Sequence, residues 1–584
     1  MDTISAQSHD HIRQTIIDGI TSSEASIRAL KSRYNELAPI SRLPPETLAT
    51  IFTFLPAIAW YENAVHLKWI RVAHVCRRWR ETALNYPRFW SHINLTKLTP
   101  NGIAEVLARA KMAPLHLEAD FSTWKTARIE ALERQLEAHI SHIRHLGITG
   151  SLGISTFERL SSSAPTLESL SLLHISPVRY RPSPTVIPDN LFNCTVPNLT
   201  SLHLENCDIT WKSPLFKGLR FLRIDLSAKA RPELNDWLHV LEEMPQLEEL
   251  HLEDATPLAS LAHPHIRRTV TLPSLIYFYI RASAKDCALA LSHLELPTLT
   301  QLGVDVVSHD QEGEDVLLLI PYVVRNVYEP QNIEPIRSVL IASERKVTNV
   351  LTWTTPGADI KVCNRDTLDD MSLSARLSFT AHHCNGMDTA IFDAFFTLLP
   401  MNFVSTLTAQ NRTRLSKKSW LGYASRLPLL EQVRLVPTAV RAFRDMLAED
   451  PPPDGPRLPL LTRFVLLNVM LTARRTYHLR DMLIGRVEQG APLEVLDLRT
   501  CYSAVRAIQL LAEVVVDVQK PLKAPLVTKE FSGHVGIGYW DEVEYDDVRT
   551  LWYGSGTMDD LSDEDEDEDE EDDEDDDSDS DYMI

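Results

Sequence analysis

A short unit, Pro-x-Leu-x-x-Leu-x-Leu or a close variant, recurs along this chain and limits its fold more than any other feature. Copies run through Leu167/Leu170/Leu172, Leu199/Leu202/Leu204, Leu247/Leu250/Leu252, Leu275/Phe278/Ile280, Leu299/Leu302/Val304, Leu430/Val433/Leu435 and Leu461/Phe464/Leu466, each with a proline two residues ahead. Leu219/Leu222/Ile224 and Leu493/Leu496/Leu498 match without that proline, while Ile143/Leu146/Ile148 and Ile336/Val339/Ile341 are weaker. A proline stops the preceding helix, the next leucine fixes the turn, and the alternating pair is the inward face of a short strand. Such units stack a strand and a helix each, usually every 20–29 residues or so. Between Leu167 and Leu299 the first positions are 32, 20, 28, 28 and 24 residues apart, so the array is irregular. From 342 to 425 only Val404/Leu407/Ala409 resembles a copy, which leaves decayed repeats or an inserted element. The expected fold class is α/β, with parallel strands and helices stacked over residues 100–525. A generic α/β domain with leucine-rich strands remains the alternative.

Ahead of the array, residues 43–56 read LPPETLATIFTFLP. Pro45 suits the first position of a helix, which needs no N–H, and Glu46 suits its positive end. Leu48, Ile51, Phe52 and Leu55 recur at helical spacing, and Pro56 is expected to stop the run. A second stripe, Val72, Cys76, Trp79 and Ala83, has Arg77, Arg78 and Arg80 on its other side and ends before Pro87. About 50 residues bury little surface, so such a unit leans on a partner or a neighbouring domain. Earlier still, Ile20, Ile27, Leu30, Tyr34 and Leu37 predict an amphipathic helix within 1–40. It either packs on this small unit or the first repeats, or pairs as a coiled coil.

Residues 41–95 resemble the F-box, through Leu43, Pro44, Pro45, Glu46, Leu48, Ile51, Leu55, Val75, Cys76, Arg78, Trp79, Ala83, Pro87 and Trp90. The resemblance implies a partner, the Skp-family adaptor of a cullin ubiquitin ligase. It also implies that Leu43, Pro44, Ile51, Leu55, Val75, Cys76 and Trp79 form the contact or the core behind it. The spacer 56–68, with Trp60 and Tyr61, is longer than the resemblance leads one to expect. The array resembles the leucine-rich-repeat substrate domains of F-box proteins, an irregular solenoid. Cys207 with Ile209, and Cys501, stand where such repeats carry their Asn/Cys and last apolar positions. The combination is similar to the large F-box group of mushroom-forming fungi.

The formal net charge is −22, yet residues 559–581 hold 19 of the 80 acids and no lysine or arginine, leaving 61 acids against 58 bases. The body is almost neutral and lacks the basic stripe that a nucleic-acid partner requires. The tail, 559–584, repels itself and is expected to be disordered. Ser562 and Ser578 each have an acid three residues on, a context for acidophilic kinases. The tail either contacts basic proteins, competes for a basic site or only solubilises. The seven cysteines are dispersed without C-x-x-C pairs, and no apolar run approaches the ~20 residues of a membrane span. A cytoplasmic or nuclear protein without membrane contact is expected.

Residues flanking the inward leucines line the other face of the strands, where stacked repeats bind protein. The flanking positions include Ser201, Glu205, Glu249, Glu253, Gln301, Asp305, Gln432 and Asp497, and the candidate substrate contacts at such positions are His203, His251, Tyr277, Tyr279, Arg281, Arg434, Arg463 and Arg499, since Tyr and Arg are enriched in hot spots. The bland alternative is a solvated face. No catalytic set emerges: His382, His383 and Cys384 are adjacent, unlike zinc ligands, and Gly533, Gly536 and Gly538 lack the order of a nucleotide loop. The glycines fit a turn-rich cap over 526–558. No cofactor, no metal and no enzymatic activity are expected. The favoured reading is a substrate receptor of a ubiquitin ligase, one copy per complex, with an unknown target protein. A repeat scaffold outside any ligase, its acidic tail holding basic proteins, is the alternative.

Overall fold

Six of the repeated prolines stand at the second position of a turn closed by the first leucine of the unit. In each, the N–H of Leu167, Leu199, Leu247, Leu275, Leu430 or Leu461 donates to the carbonyl three residues back, at 3.1–3.2 Å. Proline's fixed φ suits that position, so the turn aims the chain into the next strand. The computed structural model describes residues 2–61, 67–176, 184–226, 231–261, 268–297, 300–307, 314–328, 334–344, 346–356, 375–382, 386–411, 413–453 and 455–522. The seventh unit's Leu299, His383 and Cys384, the cap expected over 526–558 and the tail 559–584 lie outside the described residues.

The fold is mixed α/β, with helices at the N-terminal end and a sheet of 17 strands beyond them. Strands His92–Asn94, Leu115–Asp120, Ile143–Gly150, Ser169–His174, Ser201–Glu205, Phe221–Asp225, Glu249–Glu253, Tyr277–Ala282 and Gln301–Val307 lie side by side in chain order, all parallel. The order then changes. Gln301–Val307 pairs with Leu377–His382, and Val347–Trp353 runs antiparallel between that strand and Ser338–Glu344. Parallel order resumes with Thr406–Asn411, Gln432–Leu435, Arg463–Leu466, Val495–Asp497 and Asp517–Gln519. Of the two alternatives for 342–425, the described strands fit the inserted element. The copy at Val404/Leu407/Ala409 runs into the strand Thr406–Asn411.

Helices cover one face, which buries Leu170, Leu172, Leu202, Leu204, Leu250 and Leu252 to 1% exposure or less. Each such leucine contributes roughly 2 kcal/mol of burial. Thr99, Ser283, Ser416 and Thr472 open four of the helices by accepting from a backbone N–H of the first turn. The 20-residue spacing between Leu199 and Leu219 leaves no room for a helix. A single 3-10 turn, Pro214–Phe216, fills that layer with Leu215 and Phe216. Cys207 and Cys501 are fully buried, and their Sγ–H groups reach the carbonyls of Leu172 and Leu466 on the preceding unit at 3.5 and 3.1 Å. Burial pushes both thiols up to about 12.

One apolar core runs from Leu48 to Val515, so the small N-terminal unit leans on the sheet. Trp69, Phe89 and Trp90 pack edge to face at 4.8 and 5.3 Å, and the Trp90 indole donates to Ala83 O at 2.8 Å. Three sequence expectations fail here. The helix Pro45–Tyr61 passes through Pro56: the lost backbone bond and the crowding of the Phe52 carbonyl cost about 3 kcal/mol, offset by the burial of Leu48 and Phe52. The second stripe is split: Val72 lies in the 3-10 stretch Leu67–His74, and the helix Arg77–Asn85 starts after an extended Cys76. The first helix, Asp2–Glu36, does not pack on the unit, for its described residues from 11 to 36 are exposed apart from Ser32. No helix among the described residues is long and apolar enough to cross a membrane.

Candidate functional site

Two surfaces stand out. The first is on the N-terminal unit. The helix Pro45–Tyr61 buries Leu48, Ala49 and Phe52 against the core and leaves Ile51 at 43% and Phe54 at 61% exposure. Val75, in the turn before the next helix, is 60% exposed, and Pro44 is exposed too. Leu43, Leu55, Cys76 and Trp79 are half-buried, and the Trp79 ring packs on Phe52 at 5.1 Å. Trp79 is therefore more a part of the supporting core than of the surface. Arg78 ties the elements together by donating to the carbonyls of Ser41 and Leu43, while Arg80 donates to Ala73 O at 2.9 Å. Phe54 escaped the sequence reading because it falls outside the Leu48/Ile51/Phe52/Leu55 stripe. That exclusion was itself the signal, since an aromatic residue off the buried stripe faces solvent.

The second surface is the sheet face opposite the helices. Because the strands are in register, their outward residues form rows. One row runs Ser171, His203, Arg223, His251, Tyr279, Gly303 and Ser378. The next runs Glu205, Asp225, Glu253, Arg281, Asp305 and Thr380. Tyr279 stacks on His251 at 4.3 Å, and its hydroxyl donates to Asp305 at 3.1 Å. Gly303 makes this geometry fit, because a Cβ there would lie 2.9 Å from the Tyr279 ring.

Charges on this face meet one another. Glu253 receives His251 at 2.7 Å, Arg281 at 3.3 Å and Arg223 at 3.4 Å. Asp305 receives His382 at 2.9 Å and lies 3.7 Å from the Arg281 Nε. The His251 hydrogen bond holds the Glu253 carboxyl below its usual range. Burial, reinforced by Glu253 and Glu205, pushes Asp225 up to about 6. Burial, with Arg223 and His251 nearby, brings His203 down to about 4.

The structure thus brings together His203, His251, Tyr277, Tyr279 and Arg281. It sets Arg434, Arg463 and Arg499 apart, since five strands lie between Arg281 and Arg434. Arg463 and Arg499 meet at Asp497, which takes Arg499 at 2.7 Å and Arg463 at 3.4 Å, while Arg434 lies two strands from Asp497. Burial alone would raise Asp497, but the two arginines outweigh it and hold its carboxyl low. Glu253 and Asp305 were among the flanking positions read from the sequence, whereas Arg223, Asp225 and His382 were not. Arg223 and Asp225 flank the inward Leu222 and Ile224 and were within reach of the pattern, whereas His382 sits on a strand that carries no copy of it. Between the clusters, Leu340, Ala342, Leu351, Trp353 and Ala375 form a second buried apolar group. Among the described residues, no group of three or more His, Cys, Asp or Glu side chains is arranged to hold a metal ion.

A family model described as F-box-like matches residues 40–96, the stretch that carries the exposed Ile51, Phe54 and Val75. No curated protein matches the chain.

Proposed function

We propose that this chain is a non-catalytic substrate receptor of a Skp-cullin-F-box ubiquitin ligase. Its F-box-like unit docks on the Skp-family adaptor through Pro44, Ile51, Phe54 and Val75, with Leu43, Leu55, Cys76 and Trp79 setting the surface from behind. The strands over 100–525 are the irregular leucine-rich-repeat solenoid of a substrate domain. Its open face, through His203, His251, Tyr277, Tyr279 and Arg281 and separately through Arg434, Arg463 and Arg499, takes the target protein in the cytoplasm or nucleus.

The observation that carries the adaptor reading is the set of exposed apolar side chains on a unit whose other side is anchored in the core. Exposed Phe, Ile and Val on rigid elements are the mark of a binding surface. The F-box-like match over the same residues supports what that surface meets. The test is co-purification with a Skp-family adaptor of the wild type and of a Phe54→Asp, Val75→Asp variant, with folding followed by circular dichroism. Both side chains are exposed, so the variant is expected to fold and to lose the adaptor. A well-folded wild type that retains no adaptor contradicts the proposal and favours a scaffold outside any ligase.

A further inference from the structure

We infer that the N-terminal helix pairs two copies of this chain as a parallel, in-register coiled coil. The helix Asp2–Glu36 is 35 residues long, about 50 Å, and beyond its own turns it meets the 3-10 turn Pro39–Arg42. Its large apolar residues from Ile12 to Tyr34 are between 47% and 78% exposed, and Leu37, just past its end, is exposed too. Most of a helix's stability in a protein comes from packing of its apolar face rather than from propensity. Here the described residues of the same chain supply almost none.

The exposed positions have an order. From Ile16 the chain steps by four and three residues to Ile20, Ser23, Ile27, Leu30, Tyr34 and Leu37. That alternation is the 3.5-residue period of a two-helix seam. Ile20 and Ile27 fall on a positions and Ile16 and Leu30 on d positions, with Leu37 one residue past the end of the helix. β-Branched residues at a with leucine at d favour two parallel strands over three or four.

Charge selects a second copy over an unlike partner. The helix carries five acids and four bases, so it is nearly neutral and offers nothing to a strongly charged surface. Glu24 is already paired with Arg28 in its own helix at 3.6 Å. In a parallel pair, the flanking positions put Gly19 beside Glu24 and Ser26 beside Lys31, and no like charges meet. A stripe facing its own image is matched by construction, and two-fold dimers are the commonest soluble oligomers. With three heptads and a serine at one d position, the pairing belongs in the micromolar range. It replaces the expectation of one copy per complex and stands whether or not the adaptor reading holds.

The test is the mass of the full chain by light scattering over a micromolar dilution series. Wild type is expected at twice the 66.2 kDa chain mass, and Ile20→Asp, Ile27→Asp at one chain mass with unchanged thermal midpoint. Ser23→Leu, which completes the seam, should shift dissociation to concentrations on the order of 10-fold lower. Thr21→Leu, off the seam, should shift nothing. A wild type at one chain mass throughout overturns the inference, as does a dimer that survives the double substitution. An equal response to Ser23→Leu and Thr21→Leu overturns the seam.

Discussion

On the F-box-like unit, Ile51, Phe54 and Val75 meet solvent, whereas on the open sheet face Glu253, Asp305, Arg281 and Tyr279 already hold one another. The contrast separates affinity from selectivity. Covering the first surface removes apolar area from water at about 25 cal/mol per Å², with no partner to displace. Engaging the second exchanges internal ion pairs for intermolecular ones, which adds little net energy but penalises a partner whose charges do not match. In the proposed function, the first surface binds a constant protein and the second discriminates.

The largest effect that sharpens the comparison is inside the unit. Phe89 touches Phe52, Trp69 and Trp90 and is fully buried, so Phe89→Ala should cost about 3–5 kcal/mol in urea unfolding. Phe54→Asp, on the same unit but exposed, should leave stability within about 0.5 kcal/mol. It should weaken adaptor binding by about 30-fold or more in a calorimetric titration. Equal stability losses for the two would erase the distinction between core and surface.

On the sheet, Gly303→Ala must push the Tyr279 ring off its bed and strain its bond to Asp305. A loss of about 1 kcal/mol is expected by chemical unfolding, with adaptor binding untouched. The smallest effect is electrostatic. Asp225 titrates near 6 in the folded chain against a reference of 3.8, so ionisation opposes folding. Its contribution is present below about pH 4, falls as pH rises through about 6 and is absent above. Asp225→Asn should therefore raise the thermal midpoint at about pH 7, with the gain shrinking as pH falls through that window. A gain independent of pH would place the effect elsewhere.

The strands after Pro-x-Leu turns could be read from the sequence because one face is buried and the other wet, as in Ser201–Glu205 and Tyr277–Ala282. The hairpin was half legible: Ile336/Val339/Ile341 marked Ser338–Glu344 as a weak copy, but nothing marked Val347–Trp353. Val347–Trp353 is buried at all but its first residue, and Ser338–Glu344 at all but its last, so both faces are covered and the alternation of buried and wet residues disappears. Leu377–His382 alternates but lacks the leading proline and second leucine, and its His382 was missed with it. On the helices, the Leu48/Ile51/Phe52/Leu55 stripe was correct as a pattern yet mixed buried with exposed positions. A stripe of that width spans the boundary between core and surface, and only the packing of Trp79 and Phe89 on Phe52 shows where it falls. Charge partners across strands, such as Arg281 with Asp305, depend on register, which spacing alone does not supply.

The most direct measurement is hydrogen exchange of the full chain with and without a Skp-family adaptor, read peptide by peptide. Protection gained over 43–56 and 72–84, with the peptides carrying His251, Tyr279 and Arg281 unchanged, is the predicted result. Binding that protects the sheet face instead, or an adaptor that alters no peptide, would contradict the assignment of the two surfaces.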